Sequence, residues 1–365
     1  MMPKNELLER FDELLKDTGP SALVIREYLT PVEGRDGVIF PATFAASQDK
    51  AFNGGYNIDE FTDGRNVCLI DSVGSQANRI EPLFLKDEYK CLVPQIDVKA
   101  GDKWVNLLEA GHRAGDAIVR CSELKQELRD AFMEVLNGNA EPLAKIAPTS
   151  LVFGVWDSRD TQAKLPRLIA STIRAFDVRK LTRSAQYVPA TDYVNEGLLE
   201  EAIDKKTKDA YSERGFVHQP ASGAHGGVIA TGDIRRDVSL HLAALRLLSV
   251  DEDEARTHSL RRYILGLALI ALTAQPIGYL RQGCNLVLDP NRTMEIKQVF
   301  NNGHREDIIL THETALEYAK AAAEAFGIGP DKEVMFDNKL AKEEIIGSAG
   351  EGKPKNKKHR TEKTM

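Results

Sequence analysis

The chain has only four cysteines, Cys68, Cys91, Cys121 and Cys284, and no two of them form a C-x-x-C pair. Structural zinc needs closely spaced soft ligands, so the expectation is reduced structural thiols in a cytoplasmic protein and no metal site. No apolar leader follows the first methionine, so secretion is not expected. The longest apolar run, Tyr263 to Ala274, is too short for a bilayer and reads as a buried core helix, so no membrane partner is expected. Catalytic motifs are missing as well. There is no G-x-S-x-G and no H-E-x-x-H, and no G-x-G-x-x-G follows a strand. Gly227 and Gly232 have the outer spacing of a phosphate-binding loop, but Asp233 stands where that loop needs lysine, and a carboxylate repels phosphate. The sequence therefore predicts no catalytic residue and no cofactor. A small-molecule enzyme has no nucleophile–base constellation here to support it.

What the chain does have is length and unevenly placed charge. Its 365 residues, 42% hydrophobic, suffice for a large core. The net charge of −7 argues against a protein that coats nucleic acid indiscriminately, since such domains are usually basic. Yet between Arg159 and Tyr187 there are seven bases, Arg159, Lys164, Arg167, Arg174, Arg179, Lys180 and Arg183, against two acids, Asp160 and Asp177. That strip carries +5 and the rest of the chain −12. It reads either as a place where one anion is held or as a solvated basic face.

Periodicity predicts a helix over Glu6–Lys16, with residues 1–20 as an N-terminal helical segment, and a first strand over Ala22–Tyr28. Residues 30–63, rich in glycine and proline, read as a loop or hairpin insertion. A strand at Val67–Ile70 runs into a helix capped by Asp71 or Ser72. Further expectations are a strand at Cys91–Val98, a helical stretch from Ala110 stopped by Gly138, and a buried strand in "SLVFGVWDS". Ala163–Asp177 fits both periods and is read as extended. Asn195–Tyr211 is read as helical, and a mobile glycine-rich loop follows. Two helices are expected over Ser239–Leu248 and Thr257–Ala274, then a hairpin of Tyr279–Leu288 with Met294–Phe300. Thr314 and Glu317 offer a capping box for a last helix ending before Gly327. Residues 338–365 read as a disordered charged tail, most basic beyond Gly350. The interleaved order fits an α+β sandwich of the split-βαβ kind over residues 21–330.

Three polar clusters carry binding chemistry. In "SQANRIE", Ser75, Gln76, Asn78 and Arg79 open a helix, where backbone N–H groups also suit phosphate oxygens. In "HRAGD", His112 and Arg113 sit among small residues that allow close backbone approach. The basic strip mixes its cations with Phe176 and Tyr187. Together they point to single-stranded nucleic acid, with cations on phosphates and rings on bases. His218 and His225, or His112, would be the acid–base groups of the rival reading, a metal-independent endoribonuclease that processes precursor RNA.

"LIDSVGSQANRIE", "TSLVFGVWDS", "LPRLIASTIRAFDV", "LTRSAQY", "HGGVIATGDIRRDVSLHLAALR" and "GYLRQGCNLVLDP" resemble, in order, the backbone subunit of type I-G (formerly I-U) CRISPR surveillance complexes, of the RAMP superfamily. The resemblance runs from about Val24 to Gly327. It implies a modified RRM-like, ferredoxin-like palm with inserted finger and thumb elements, the thumb within 181–224. It implies several copies lined along one CRISPR RNA, contacts to a target DNA strand and to other Cascade subunits, and no catalysis. The RNA contacts it carries over are Ser75, Gln76, Asn78, Arg79, Arg167, Arg174, Arg183, Arg235 and Arg236.

Overall fold

Alternation dominates the first strand, β1 (Ala22–Pro31), where Leu23, Ile25, Glu27, Leu29 and Pro31 are buried and the residues between them are half-exposed. Such a strand buries one face and leaves the other open. The computed structural model describes residues 4–48, 51–274 and 279–350 and builds the sheet outward from this strand. After β1 come β2 (Asn66–Asp71), β3 (Ile169–Phe176), β4 (Val178–Tyr187), β5 (Gln219–Ala230), β6 (Ile234–His241), β7 (Cys284–Leu288) and β8 (Glu295–Val299). The main helices are α1 (Val73–Ile80), α2 (Glu254–Thr273) and α3 (His312–Phe326). β8, β1, β6, β3 and β2 are neighbours in that order, all antiparallel. Leaving out β2, the chain order β1–α1–β3–β6–α2–β8 is the ferredoxin-like βαββαβ arrangement. The fold is α+β, as the residue pattern predicted.

Among the described residues the main helices pack on one face of the sheet. α2 is buried almost all round from Leu260 to Leu272, because it lies between the sheet and α3. Asp253 caps it, its side chain accepting from the Arg256 N–H at 2.9 Å. At the helix crossing a β-carbon on Gly266 would meet Ala319 Cα at 2.9 Å, so the axes approach as closely as glycine permits. A second, smaller core lies at the far end of the sheet, where Leu29, Ile70 and Ile173 meet Ile39, Tyr56 and Val228.

Several elements differ from the sequence expectation. Phe11, Leu14 and Leu15 do turn inward, but the first helix is Lys4–Glu9 followed by a 3-10 turn at Asp12–Leu15, packed into the main core. "SLVFGVWDS" is a strand only at Val155–Trp156. Pro148–Phe153 is a wholly buried helix, and Gly154, at φ 77°, ends it. A short apolar run does not distinguish the two; Pro148 at the start and Gly154 at the end were the helix signals. The strand expected at Cys91–Val98 begins only at Ile96, after a 3-10 turn. The stretch from Ala110 breaks into short turns before a helix at Lys125–Leu136. The helix expected from Asn195 is confined to Lys205–Glu213.

The glycine-rich segment is strand β5, not a loop. Gly226 and Gly227 lie opposite a register shift between Lys180 and Thr182, the place where a bulge crowds the backbones together. Ser239–His241 belongs to β6, with only a short helical turn at Leu242–Leu245 beyond it. β7 and β8 do not pair with each other. β1 is long enough to hold them end to end, β8 along Ala22–Arg26 and β7 along Leu29–Pro31. Thr311, not Thr314, caps α3, forming a capping box with Thr314. Residues 338–350, expected to be disordered, form a helix held by the Arg120–Glu344 pair; 351–365 lie outside the described residues. Among the described residues no helix is long and apolar enough to cross a membrane.

Candidate nucleic-acid interface

β4 and β5 pair with each other to form an arm that continues β3 and β6. Asp177 makes the turn at φ 51°, a left-handed conformation that aspartate tolerates. Asn66 clamps this root: its Oδ1 accepts from Val178 N–H at 2.7 Å and its Nδ2 donates to Val178 O at 3.0 Å. The 30–63 insertion supports the arm from the side. Ile39 bridges Val228, and Tyr56 Oη accepts from Gly227 N–H at 3.0 Å. The basic strip therefore follows one strand path, starting at Lys164 and Arg167 ahead of β3, crossing the open sheet face at Arg174, and running out along the arm, where the neighbours Arg179 and Lys180 stand on opposite faces, to Arg183. β3 alone spans about 25 Å at a strand rise of ~3.3 Å per residue.

None of Arg159, Lys164, Arg167, Arg174, Arg179, Lys180 and Arg183 forms an ion pair with a described residue. All are exposed except Arg174, which is half-buried and donates to Thr172 Oγ1 at 2.6 Å. Asp160, one of the two acids in the strip, is taken by Arg129. Arg183 lies 5.5 Å from the Phe40 ring centroid, and Tyr187 is exposed beyond it. On the open sheet face Arg174 stands directly opposite Arg235. Arg235 pairs with Asp237 at 2.8 Å and lies 4.2 Å from the centroid of Phe176.

Two predicted arginines and one glutamine are not at the surface. Arg236, 2% exposed, points to the helical face, pairs with Glu27 at 3.0 Å and donates to Ala274 O beyond the end of α2. Burial lowers Arg236 and raises Glu27 from their ordinary values. Arg113 is buried against Glu81 at 2.7 Å, with Gly154 O and Asn78 Oδ1 as further acceptors. Gln76 is buried between Asp71 and Ser171. These three are corrected to internal roles: adjacent strand residues face opposite ways, and sequence alone did not say which of Arg235 and Arg236 faced out.

Ser75 and Arg79 also turn towards Asp71. This buried carboxylate accepts from Ser75 Oγ at 2.8 Å, Gln76 Nε2 at 2.7 Å, Arg79 Nε at 3.3 Å and Arg281 at 2.8 Å. A buried carboxylate is stable only when so surrounded. Arg281 was not named among the contacts, although it lies within the quoted "GYLRQGCNLVLDP".

Some members of each of the three polar clusters do meet. Asn78 from α1, His112, and Lys164 and Arg167 from the strip line one cleft of about 660 Å³, together with Trp156. Gly154 permits this closeness, since a β-carbon there would stand 2.7 Å from Arg167 Cγ. Among the cleft's lining residues there is no aspartate or glutamate. A smaller hollow of about 270 Å³ beside Tyr28 and Arg35 is lined by Asp36, Asp233 and Asp289, which oppose a phosphate. Trp156 was missed because its segment read as a buried strand, yet its side chain is 58% exposed. His218 and His225 do not come together. Seven residues of nearly continuous strand hold them about 20 Å apart, and His225 packs on Tyr56 with ring centroids 4.9 Å apart.

Residues 23–180 match the family described as CRISPR-associated protein GSU0053. The matched part, under half of the chain, holds β1, α1, the cleft and all of the strip but Arg183. It is similar to CRISPR-associated proteins, which supports a role in CRISPR defence. No curated protein matches the chain.

Proposed function

We propose that the protein is a non-catalytic backbone subunit of a type I-G CRISPR surveillance complex, several copies of which line one CRISPR RNA in the cytoplasm. The observation that carries the reading is the run of Lys164, Arg167, Arg174, Arg179, Lys180 and Arg183 along one strand and its arm, none of them in an ion pair with a described residue and with Asp177 as the one acid among them. Such a line fits a single sugar–phosphate chain of any sequence, which a guide must be. Arg174 stands across the strand from Arg235 on the same open face, and Asp237 offsets the charge of Arg235 alone, so Arg174 is left to meet an outside anion. Target DNA is then selected by base pairing with the guide, while the arm and other Cascade subunits meet neighbouring copies. Identical subunits joined head to tail give an open helix.

The test is purification with and without a co-expressed CRISPR array transcript, followed by light scattering and the 260/280 nm absorbance ratio. A long, RNA-dependent oligomer is expected. A nucleic-acid-free monomer in both preparations overturns the proposal. So does cleavage of that transcript by the purified protein, lost in His112→Ala.

A further inference from the structure

Trp156 lies on a two-residue strand, Val155–Trp156, paired with Lys164–Leu165. Its indole forms a wall of the cleft, and Lys164 Nζ sits 5.6 Å from the ring centroid. A single exposed aromatic residue is ordinary on a protein surface. This one differs in its company. Arg167 lies in the same cleft, its guanidinium 3.8 Å from where a β-carbon on Gly74 would stand. Arg113 donates to Asn78 Oδ1 at 3.3 Å, which leaves the Asn78 amide nitrogen to donate outward. The cleft thus presents cations, an amide donor and an aromatic face, with no carboxylate among its lining residues. A ligand that matches must be anionic and aromatic at once. A volume of about 660 Å³ holds a group the size of one nucleotide and excludes a duplex.

We propose that Trp156 is a stacking platform for one unpaired nucleobase of the bound RNA, with Lys164 and Arg167 holding the phosphate beside it. The inference rests on the RNA-binding reading above and adds a residue and a contact type to it. In the free protein Lys164 lies against the indole; on binding, its ammonium moves to the phosphate and the base takes the ring. The contact reads no sequence, since every base has a stacking face. It requires a splayed nucleotide, because bases inside a duplex cannot reach a ring in a cleft.

The chain has two tryptophans, so Trp104→Phe leaves Trp156 as the sole indole emitter. That variant is titrated with a short oligouridylate, with binding followed separately by anisotropy of labelled RNA. Trp156 emission is expected to fall and to saturate at the concentration where binding saturates. An abasic oligomer of equal length should bind through its phosphates without quenching. Trp156→Ala should weaken RNA binding about tenfold with its salt dependence unchanged, and Trp156→Phe by less. RNA that binds while the emission stays constant overturns the stacking site and leaves the function standing. Absence of any RNA binding overturns both. Quenching by free uridine monophosphate, but not by the oligomer, shows a mononucleotide pocket and overturns the proposal.

Discussion

Arg113 and Arg167 lie near enough that the charge of Arg167 helps lower the pKa of Arg113, yet they do different work. Burial is the larger cause of that lowering, and Glu81 opposes it. Removing one partner of a buried pair strands the other charge, so Arg113→Ala should cost about 3–5 kcal/mol of stability, seen as a lower denaturation midpoint. Arg167→Ala, at the exposed rim, should leave stability within about 0.5 kcal/mol. It should weaken RNA binding equally for all sequences and reduce the salt slope by about 0.7. The Glu81 side of the buried pair has a pH signature. Burial raises Glu81 to about 7 against the pull of Arg113. The folded chain then keeps a proton that the unfolded chain releases near 4.5. Stability from this group therefore falls as pH rises from about 4.5 to about 7 and is level above. Glu81→Gln should remove that decline. Denaturant midpoints measured across the interval check it, and a slope identical to wild type would refute the assignment.

The arm is the element on which the cation line depends, and its direction is set at Asp177. A β-branched residue at φ 51° is strained, so Asp177→Val should cost about 1–3 kcal/mol and re-aim β4. RNA-dependent assembly should shorten in this variant, while a short oligonucleotide still binds at the cleft; unchanged assembly on long RNA would show that the arm's angle is not used. The period-two pattern of β1 and the buried run of α2 were legible because each obeys one rule over ten or more residues. Sequence points β7 and β8 to a hairpin because the Asp289–Arg292 turn is local, whereas their true partner, β1, is over 250 residues away in sequence. The interface was legible in part for the same reason. Clustered cations announce themselves, but Arg235 and Arg236 can be sorted only once the face of β6 is known. Trp156 needed the helix end at Gly154, which turns the indole outward.

On the proposed reading, the charge distribution confines affinity to the strip. The chain outside the strip carries −12, which would repel bulk polynucleotide, and none of the seven strip cations forms an ion pair with a described residue. Binding should therefore be strongly salt-dependent in spite of the negative net charge. If all seven strip cations each displace a counterion from single-stranded RNA, at ~0.7 per phosphate, the slope of log K against log salt is about −5. That slope should be the same for guides of unrelated sequence, because the contacts are to phosphates. It should fall in steps as Lys164, Arg167 and Arg183 are replaced together and singly, and stay unchanged in Tyr187→Phe, which removes no charge. A shallow slope near −1, or one that varies with the letters of the guide, would mean that the strip is not followed by one strand. The cations would then be a solvated face, and the grip on RNA would have to be sought elsewhere on the sheet.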